Sequence, residues 1–313
     1  MLIANLEADE LINQVVTSIR KQDYIVKYAS GATLKNNRRH DKRGLIKQLA
    51  RIGKQEDIDY TLELEYTYGP IGLATYLVDR QLNKLKHVTG CDIMNLWLGP
   101  DDGSNFRYKS AKTQPYKGTR PPKPDILIQL RNYLINIKGA QVIYGYEADD
   151  ALGIYQDLDI PPWEINDRVH LTNTVAVHCD KDIFMIPGTH YNTMTDKFVE
   201  VSELGELTLD KGKVKGTGLA FFYFQMLMGD RTDNIPNLAK GWGDTKCYKV
   251  LEHCECEQDY LVQVASQYQQ ELGVTWINRF LEQADLVWIC RNKEEKGSDY
   301  IKRQYKELCG VVI

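Results

Sequence analysis

The sequence predicts an α/β fold, a mostly parallel sheet flanked by helices, followed by a helical C-terminal region. Three observations predict it. Short apolar runs alternate with amphipathic stretches, those runs end repeatedly in carboxylates, and after about Glu206 the pattern turns helical. Ligands of such sheets sit beyond the carboxyl ends of the strands, so the acids there are the first place to look for chemistry.

The elements follow in order. Ile3 to Leu6 is a short strand running into Glu7 and Asp9, and Leu11 to Ile19 starts a helix. Tyr24 to Leu34, with Gly31 at its turn, has the pattern of an accessory hairpin. Leu73 to Val88 has helical spacing, and Ile93 to Gly99 is a strand stopped by Pro100-Asp101-Asp102. Pro124-Asp125 opens a helix with Leu127, Leu130, Leu134 and Ile137 on one face and Gly139 as its stop. Ala140 to Tyr144 is a strand, Glu147 heads a short helix through Tyr155, and Thr174 to His178 is a strand leading into Asp180-Lys181-Asp182. Phe221 to Met228 is an apolar helix; a glycine-bearing turn follows at Gly241-Trp242-Gly243, and Ala265 to Val287 continues the helical pattern. Two helices joined by such a turn, with basic residues alongside, form a clamp suited to a nucleic-acid backbone.

Composition excludes several classes. With 313 residues, 43% hydrophobic and 26% charged, the chain suits one large or two modest globular units, and no apolar run approaches a membrane span. The early acids of the N-terminal segment do not fit a signal peptide, and seven scattered cysteines fit reduced thiols, so a cytoplasmic location is expected. A net charge of −4 argues against nucleic acid until its distribution is considered. Between Gly103 and Pro124 there is no carboxylate, while Arg107, Lys109, Lys112, Lys117, Arg120 and Lys123 are basic and Phe106, Tyr108 and Tyr116 are interleaved. A second basic stretch runs from Lys35 to Lys54. Basic faces with exposed aromatics bind phosphate backbones and stack on bases.

The candidate acids are Glu7, Asp9, Asp102, Glu147, Asp149, Asp150, Asp180, Asp182, Asp230 and Asp233. Taken singly, such acids also serve as helix caps, turn residues and partners of a helix dipole. Together in one cleft they would repel one another unless cations neutralised them. Oxygen donors without a His or Cys cluster favour Mg²⁺, with Mn²⁺ as substitute, and two such ions can activate water for phosphodiester hydrolysis. His253-Cys254-Glu255-Cys256 lacks a second ligand pair and is not a zinc site.

Several ordered motifs resemble the bacteriophage 5′ nucleases or flap endonucleases, related to the 5′-nuclease domain of bacterial DNA polymerase I. They are Asn105-Phe106-Arg107, Pro115-Tyr116-Lys117-Gly118-Thr119-Arg120, Glu147-Ala148-Asp149-Asp150, Asp180-Lys181-Asp182, Met228-Gly229-Asp230 through Asp233-Asn234-Ile235-Pro236, and Gly241-Trp242-Gly243. The likeness runs from about Tyr66 to about Leu251. It implies a PIN-like (resolvase-like) nuclease domain over 1–205 with a basic arch or clamp around 104–123, and a helix-three-turn-helix DNA-binding domain over 206–313. It implies a 5′→3′ exonuclease and 5′-flap endonuclease acting in replication on DNA with 5′ ends, flaps or nicks and on RNA–DNA hybrid, in the host cytoplasm if phage-encoded.

By position, the resemblance gives Glu7, Asp102, Glu147 and Asp149 to one metal, and Asp149, Asp180, Asp182 and Asp230 to a second. Asp9, Asp150 and Asp233 support them. Lys117 and Arg120 meet the scissile phosphate, Tyr116 stacks on a terminal base, and Arg107, Lys109, Lys112, Gly241, Gly243 and Lys246 join the DNA-binding set. Three positions depart from the family: Glu7 stands for an aspartate, Gln225 for a lysine, and Thr245 for a basic residue. Two alternatives stay open. Asn5-Leu6-Glu7 resembles, with Asn for Asp, the first motif of 3′→5′ exonucleases, and a chain whose Glu7 holds no metal could bind flaps without cutting them.

Overall fold

The computed structural model describes residues 1–28, 33–36, 51, 60–156, 163–165, 168–170 and 173–313. Its centre is a six-stranded sheet in the order Lys197–Val201, Gly188–Asn192, Thr174–His178, Ile3–Glu7, Ile93–Leu98 and Gln141–Val142. Neighbours are parallel throughout except the edge pair Gly188–Asn192 and Lys197–Val201, which is antiparallel. This is the mixed α/β architecture with a mostly parallel central sheet that the sequence predicts.

The strand period of two divides the interior into two cores. Leu6, Leu96, Leu98, Val175 and Val177 face the helices Ala8–Ile19, Ile71–Thr89 and Asp125–Lys138. Trp97 and Ala176 face the other way, into a core shared with the helices Ala148–Ile154, Gly218–Met228 and those beyond. All five residues of Thr174–His178 are buried, as expected of a central parallel strand covered on both faces. The helix Gly218–Met228 is buried along nearly its whole length, as its sequence of four aromatic and several aliphatic side chains requires.

Two glycines matter to the placement of elements. Gly139 ends the helix Asp125–Lys138 in the left-handed conformation at φ 73°, the stop its sequence predicts. A Cβ on Gly153 would stand 2.3 Å from the Cys290 carbonyl oxygen, so only glycine lets the helix Ala148–Ile154 close on the segment after Val287.

Several boundaries differ from the sequence expectation. The first helix begins at Ala8, so Asp9 and Glu10 lie in its first turn and not at the strand end. The strand expected over Ala140 to Tyr144 pairs only at Gln141–Val142. Immediately after Glu206 the chain forms a hairpin, Leu207–Asp210 with Lys213–Gly216, before any helix. The helical pattern of Ala265 to Val287 is interrupted at Gly273 into Glu257–Leu272 and Trp276–Val287. Arg20–Tyr28 pairs with Thr33–Asn36 as a hairpin and also with Tyr60–Tyr68, giving a three-stranded accessory sheet. The turn at Gly31 and most of the Lys35 to Lys54 stretch lie outside the described residues. Among the described residues, no helix is long and apolar enough to cross a membrane.

Candidate active site

The carboxyl ends of the parallel strands open into a cleft of about 670 Å³. Glu7 arrives at the end of the central strand; Asp180 and Asp182 follow Thr174–His178; Glu147 and Asp149 flank the start of Ala148–Ile154; Asp230 and Asp233 come from the loop after Gly218–Met228. Lys117 and Arg120 reach the same cleft from the acid-free segment. Asp9 also lines it.

The electrostatics of the floor are unfavourable to its own charge. Burial, then the neighbouring carboxylates of Asp149 and Asp180, pushes Glu7 well above the usual range. Burial and the charges of Glu147 and Asp150 do the same to Asp149. Asp182 is pushed up to about 7 by burial, Asp180 and Asp230, although Gln225 donates its amide Nε2–H to it. Glu147 is the exception: burial raises it, but Lys117 and Arg107 together pull it down to about 2. The Lys117 ammonium lies against Glu147 and 3.5 Å from Asp233, while Arg120 pairs with Asp233 at 2.5 Å.

The clamp segment is fastened to the acidic loop by backbone as well as side chains. The Lys117 N–H donates to the Asp233 carbonyl at 2.8 Å, and the Asn234 Nδ2–H donates to the Pro115 carbonyl at 2.8 Å. Lys117 sits at φ 52° and Asn234 at φ 59°, left-handed conformations that are unfavourable outside glycine, asparagine and aspartate. The contact between the two segments holds both.

Whether a divalent cation fits can be judged from the donors. Glu7 Oε2 is buried and accepts no hydrogen bond, and its neighbours are carboxylates of raised pKa. An orphaned carboxyl oxygen among other carboxyls suits a hard cation such as Mg²⁺ or Mn²⁺, whose charge would offset their mutual repulsion. Among the described residues, however, no three His, Cys, Asp or Glu side chains are gathered as a ready cage. The donor chemistry fits; a preformed ligand geometry is absent.

Several sequence-predicted residues have other duties. Arg107, expected on DNA, is 1% exposed and grips Asp150 through two bonds of 2.6 and 2.8 Å. Asp150, expected to support metal, is 0% exposed; its oxygens also accept the Glu147 and Cys290 N–H groups. With four donors on it, Asp150 has no capacity left for a cation. Tyr116, expected to stack on a base, is buried, and its hydroxyl is placed between Glu147 at 2.7 Å and Asp233 at 2.8 Å. Asp102 is exposed outside the cleft and accepts the Ser104 N–H. Asp9 accepts the Gly99 N–H and pairs with Arg131 at 2.7 Å. Lys109 and Lys112 are exposed but do not line the cleft, and the Lys112 ammonium caps the Lys109 carbonyl. Gly241, Gly243 and Lys246 meet elsewhere, with Lys249, around a shallow hollow of about 600 Å³ at the start of the helix Asp244–Leu251. There the Lys246 ammonium lies 3.8 Å from the Trp242 ring centroid. Asn5 is fully buried, accepts from Asn95 and Trp97, and donates to the Tyr155 carbonyl, so it offers no ligand in place of the aspartate of a 3′→5′ exonuclease.

Sequence reasoning missed other cleft residues: Glu10, Arg131 and Lys181. Glu10 follows Glu7 by three residues and therefore shares its side of the first turn, a readable signal. Arg131 follows Leu127 by four and points inward with it, joining Asp9 and Asp101 at 2.7 and 2.6 Å.

No family model matches the chain, and no curated protein does. A solved structure, that of the T5 D15 protein co-crystallized with metal ions, is similar to it at 13% identity and a TM-score of 0.39, covering 74% of this chain and 91% of that one.

Proposed function

We propose that this protein is a metal-dependent 5′→3′ exonuclease and structure-specific 5′-flap endonuclease that hydrolyses DNA, and RNA of primers, in phage-type replication. The observation that carries the reading is the cleft floor: the orphaned Glu7 oxygen among the raised carboxylates of Asp149, Asp180 and Asp182, with Lys117 and Arg120 above it. Residues 1–205 form the nuclease unit with its clamp around 104–123, and 206–313 the helix-three-turn-helix unit that grips duplex through Gly241, Gly243 and Lys246.

Glu7, Asp149, Asp180, Asp182 and Asp230 hold the divalent ions, with Glu147 and Asp233 freed for the task as Lys117 and Arg120 turn to substrate. Divalent ions bound there supply Lewis-acid stabilisation of charge on a phosphodiester and lower the pKa of water. Lys117 and Arg120 bind the scissile phosphate and neutralise charge that develops on its oxygens. Their present partners, Glu147 and Asp233, keep both cations aimed into the cleft before substrate arrives. Recognition is of structure, since backbone contacts carry no base sequence.

The test is cleavage of 5′-labelled flap, nicked and blunt duplexes with Mg²⁺ and with chelator. Short labelled products that vanish on chelation are expected, and Asp149→Asn is expected to lose at least about 10³-fold in rate while still binding flaps. Products only from the 3′ end, or full activity in Asp149→Asn, would overturn the reading.

A further inference from the structure

The segment that carries Lys117 and Arg120 begins with a single helical turn, Arg107–Ser110, anchored from beneath. Arg107 holds Asp150 and donates to the carbonyls of Leu286 and Trp288, at 3.3 and 2.5 Å. Ser110 donates its hydroxyl to Asp285 at 2.9 Å. Both ends of the turn are thus fixed to one stretch of the C-terminal region, and Tyr108 is carried on the outer side, 47% exposed.

A lone exposed tyrosine is ordinary. This one lines the carboxylate cleft together with Lys117 and Arg120, and its ring stands edge-on to the buried Tyr116 ring at 5.4 Å between centroids. Tyr116 backs it and cannot itself present a face. Elsewhere on the cleft wall are Pro121, Pro122 and Ile128, the last 46% exposed. The wall therefore carries apolar and aromatic surface, beside Lys123, where the floor is acidic. A polyanionic strand is repelled by that floor except at its cations, so the contact left for the rest of a nucleotide is that wall.

We propose that Tyr108 is a stacking platform for an unpaired nucleobase, next to the phosphate held by Lys117 and Arg120. The proposal rests on the nuclease reading above and deepens it by naming a residue that positions the substrate's unpaired strand: a paired base has both faces covered within the duplex, so only a base free of its complement can lie on Tyr108. Tyrosine suits the role because a large flat ring is presented with only two rotatable bonds, and a rigid backing keeps it open. Stacking of this kind tolerates any base.

The test is binding of the full chain, with Ca²⁺ in place of Mg²⁺, to a fluorescent duplex bearing a 5′ overhang, and to the same duplex with a single abasic spacer at each overhang position in turn. The unaltered protein is expected to lose about tenfold in affinity at one spacer position, the order that removal of one base stack gives. Tyr108→Ala is expected to bind the base-bearing overhang as weakly as the spacer and to show no further loss with it. Tyr108→Phe should restore the difference, and affinity for a blunt duplex should be the same in all three proteins. An undiminished spacer effect in Tyr108→Ala, with blunt-duplex affinity intact, would overturn the stacking role and leave the nuclease reading standing. Failure of the unaltered protein to bind any of these duplexes would overturn the nucleic-acid reading itself, and the stacking role with it.

Discussion

Asp149 and Asp150 are adjacent on one helical turn, and they have opposite fates. Asp150 is sealed from solvent and accepts hydrogen bonds from Arg107, Glu147 and Cys290, with every donor at 2.9 Å or less. Asp149 faces the cleft, where burial and two neighbouring carboxylates raise its pKa. The helix start dictates neither outcome, because both residues serve a helix dipole equally well. What separates them is a cation: Asp150 has Arg107 within the protein, whereas among the described residues no ion pair reaches Asp149, the cleft cations Lys117, Arg120, Arg131 and Lys181 meeting Glu147, Asp233, Asp9 and Asp182. The molecule thus contains a satisfied acidic cluster that joins its parts and an unsatisfied one that invites a ligand.

The largest effect that can break this contrast lies on the satisfied side. Arg107→Met should destabilise the fold by about 3–5 kcal/mol, because it strands the Asp150 charge in the interior. Urea denaturation measures it; a loss below about 1 kcal/mol would place Arg107 among surface cations after all.

On the unsatisfied side the sign reverses. A group whose folded pKa is raised stabilises the fold below its unfolded pKa and loses that contribution as pH rises through the folded value. For Asp182 the window runs from the ordinary 3.8 to about 7. In chelator, Asp182→Asn should therefore gain on the parent protein between pH 5 and pH 8, by on the order of 2 kcal/mol. Mg²⁺ at pH 8 should stabilise the parent protein more than the variant. Parallel stability curves for the two proteins across this range would remove the unsatisfied cluster from the comparison.

The smallest effect sharpens the boundary between the clusters. The Tyr116 hydroxyl touches Glu147 and Asp233, so Tyr116→Phe should cost about 1.5 kcal/mol, the lower end of the worth of a hydrogen bond to a charged group. Because it keeps the Tyr116 ring that backs Tyr108, the same variant should leave the spacer effect in overhang binding unchanged. Loss of that effect in Tyr116→Phe would tie the stacking platform to the grip of the Tyr116 hydroxyl on Glu147 and Asp233.

Much of the site is legible in the chain because its signals are local. An apolar run followed by a carboxylate reads as a strand end, and Gly139 as a helix stop, from a few neighbouring residues each. The misassigned residues fail for one reason: their roles depend on partners far along the chain. Arg107 has the same immediate surroundings, basic and aromatic, as Lys109 and Lys112, and it is withdrawn only by Asp150, 43 positions on, and by the Trp288 carbonyl, 181 positions on. Asp9 is likewise taken by Arg131, 122 positions away.

The sequence by itself determined the alternation of strands and helices, the delivery of acids to the carboxyl ends of a parallel sheet, and the basic segment that faces them. These follow from side-chain period and turn chemistry, which act over a few residues. Only the tertiary structure decided which acids are neutralised from within and which are left for a ligand. A carboxylate's charge is settled by the cations and donors packed around it, and those arrive when distant segments close on one another.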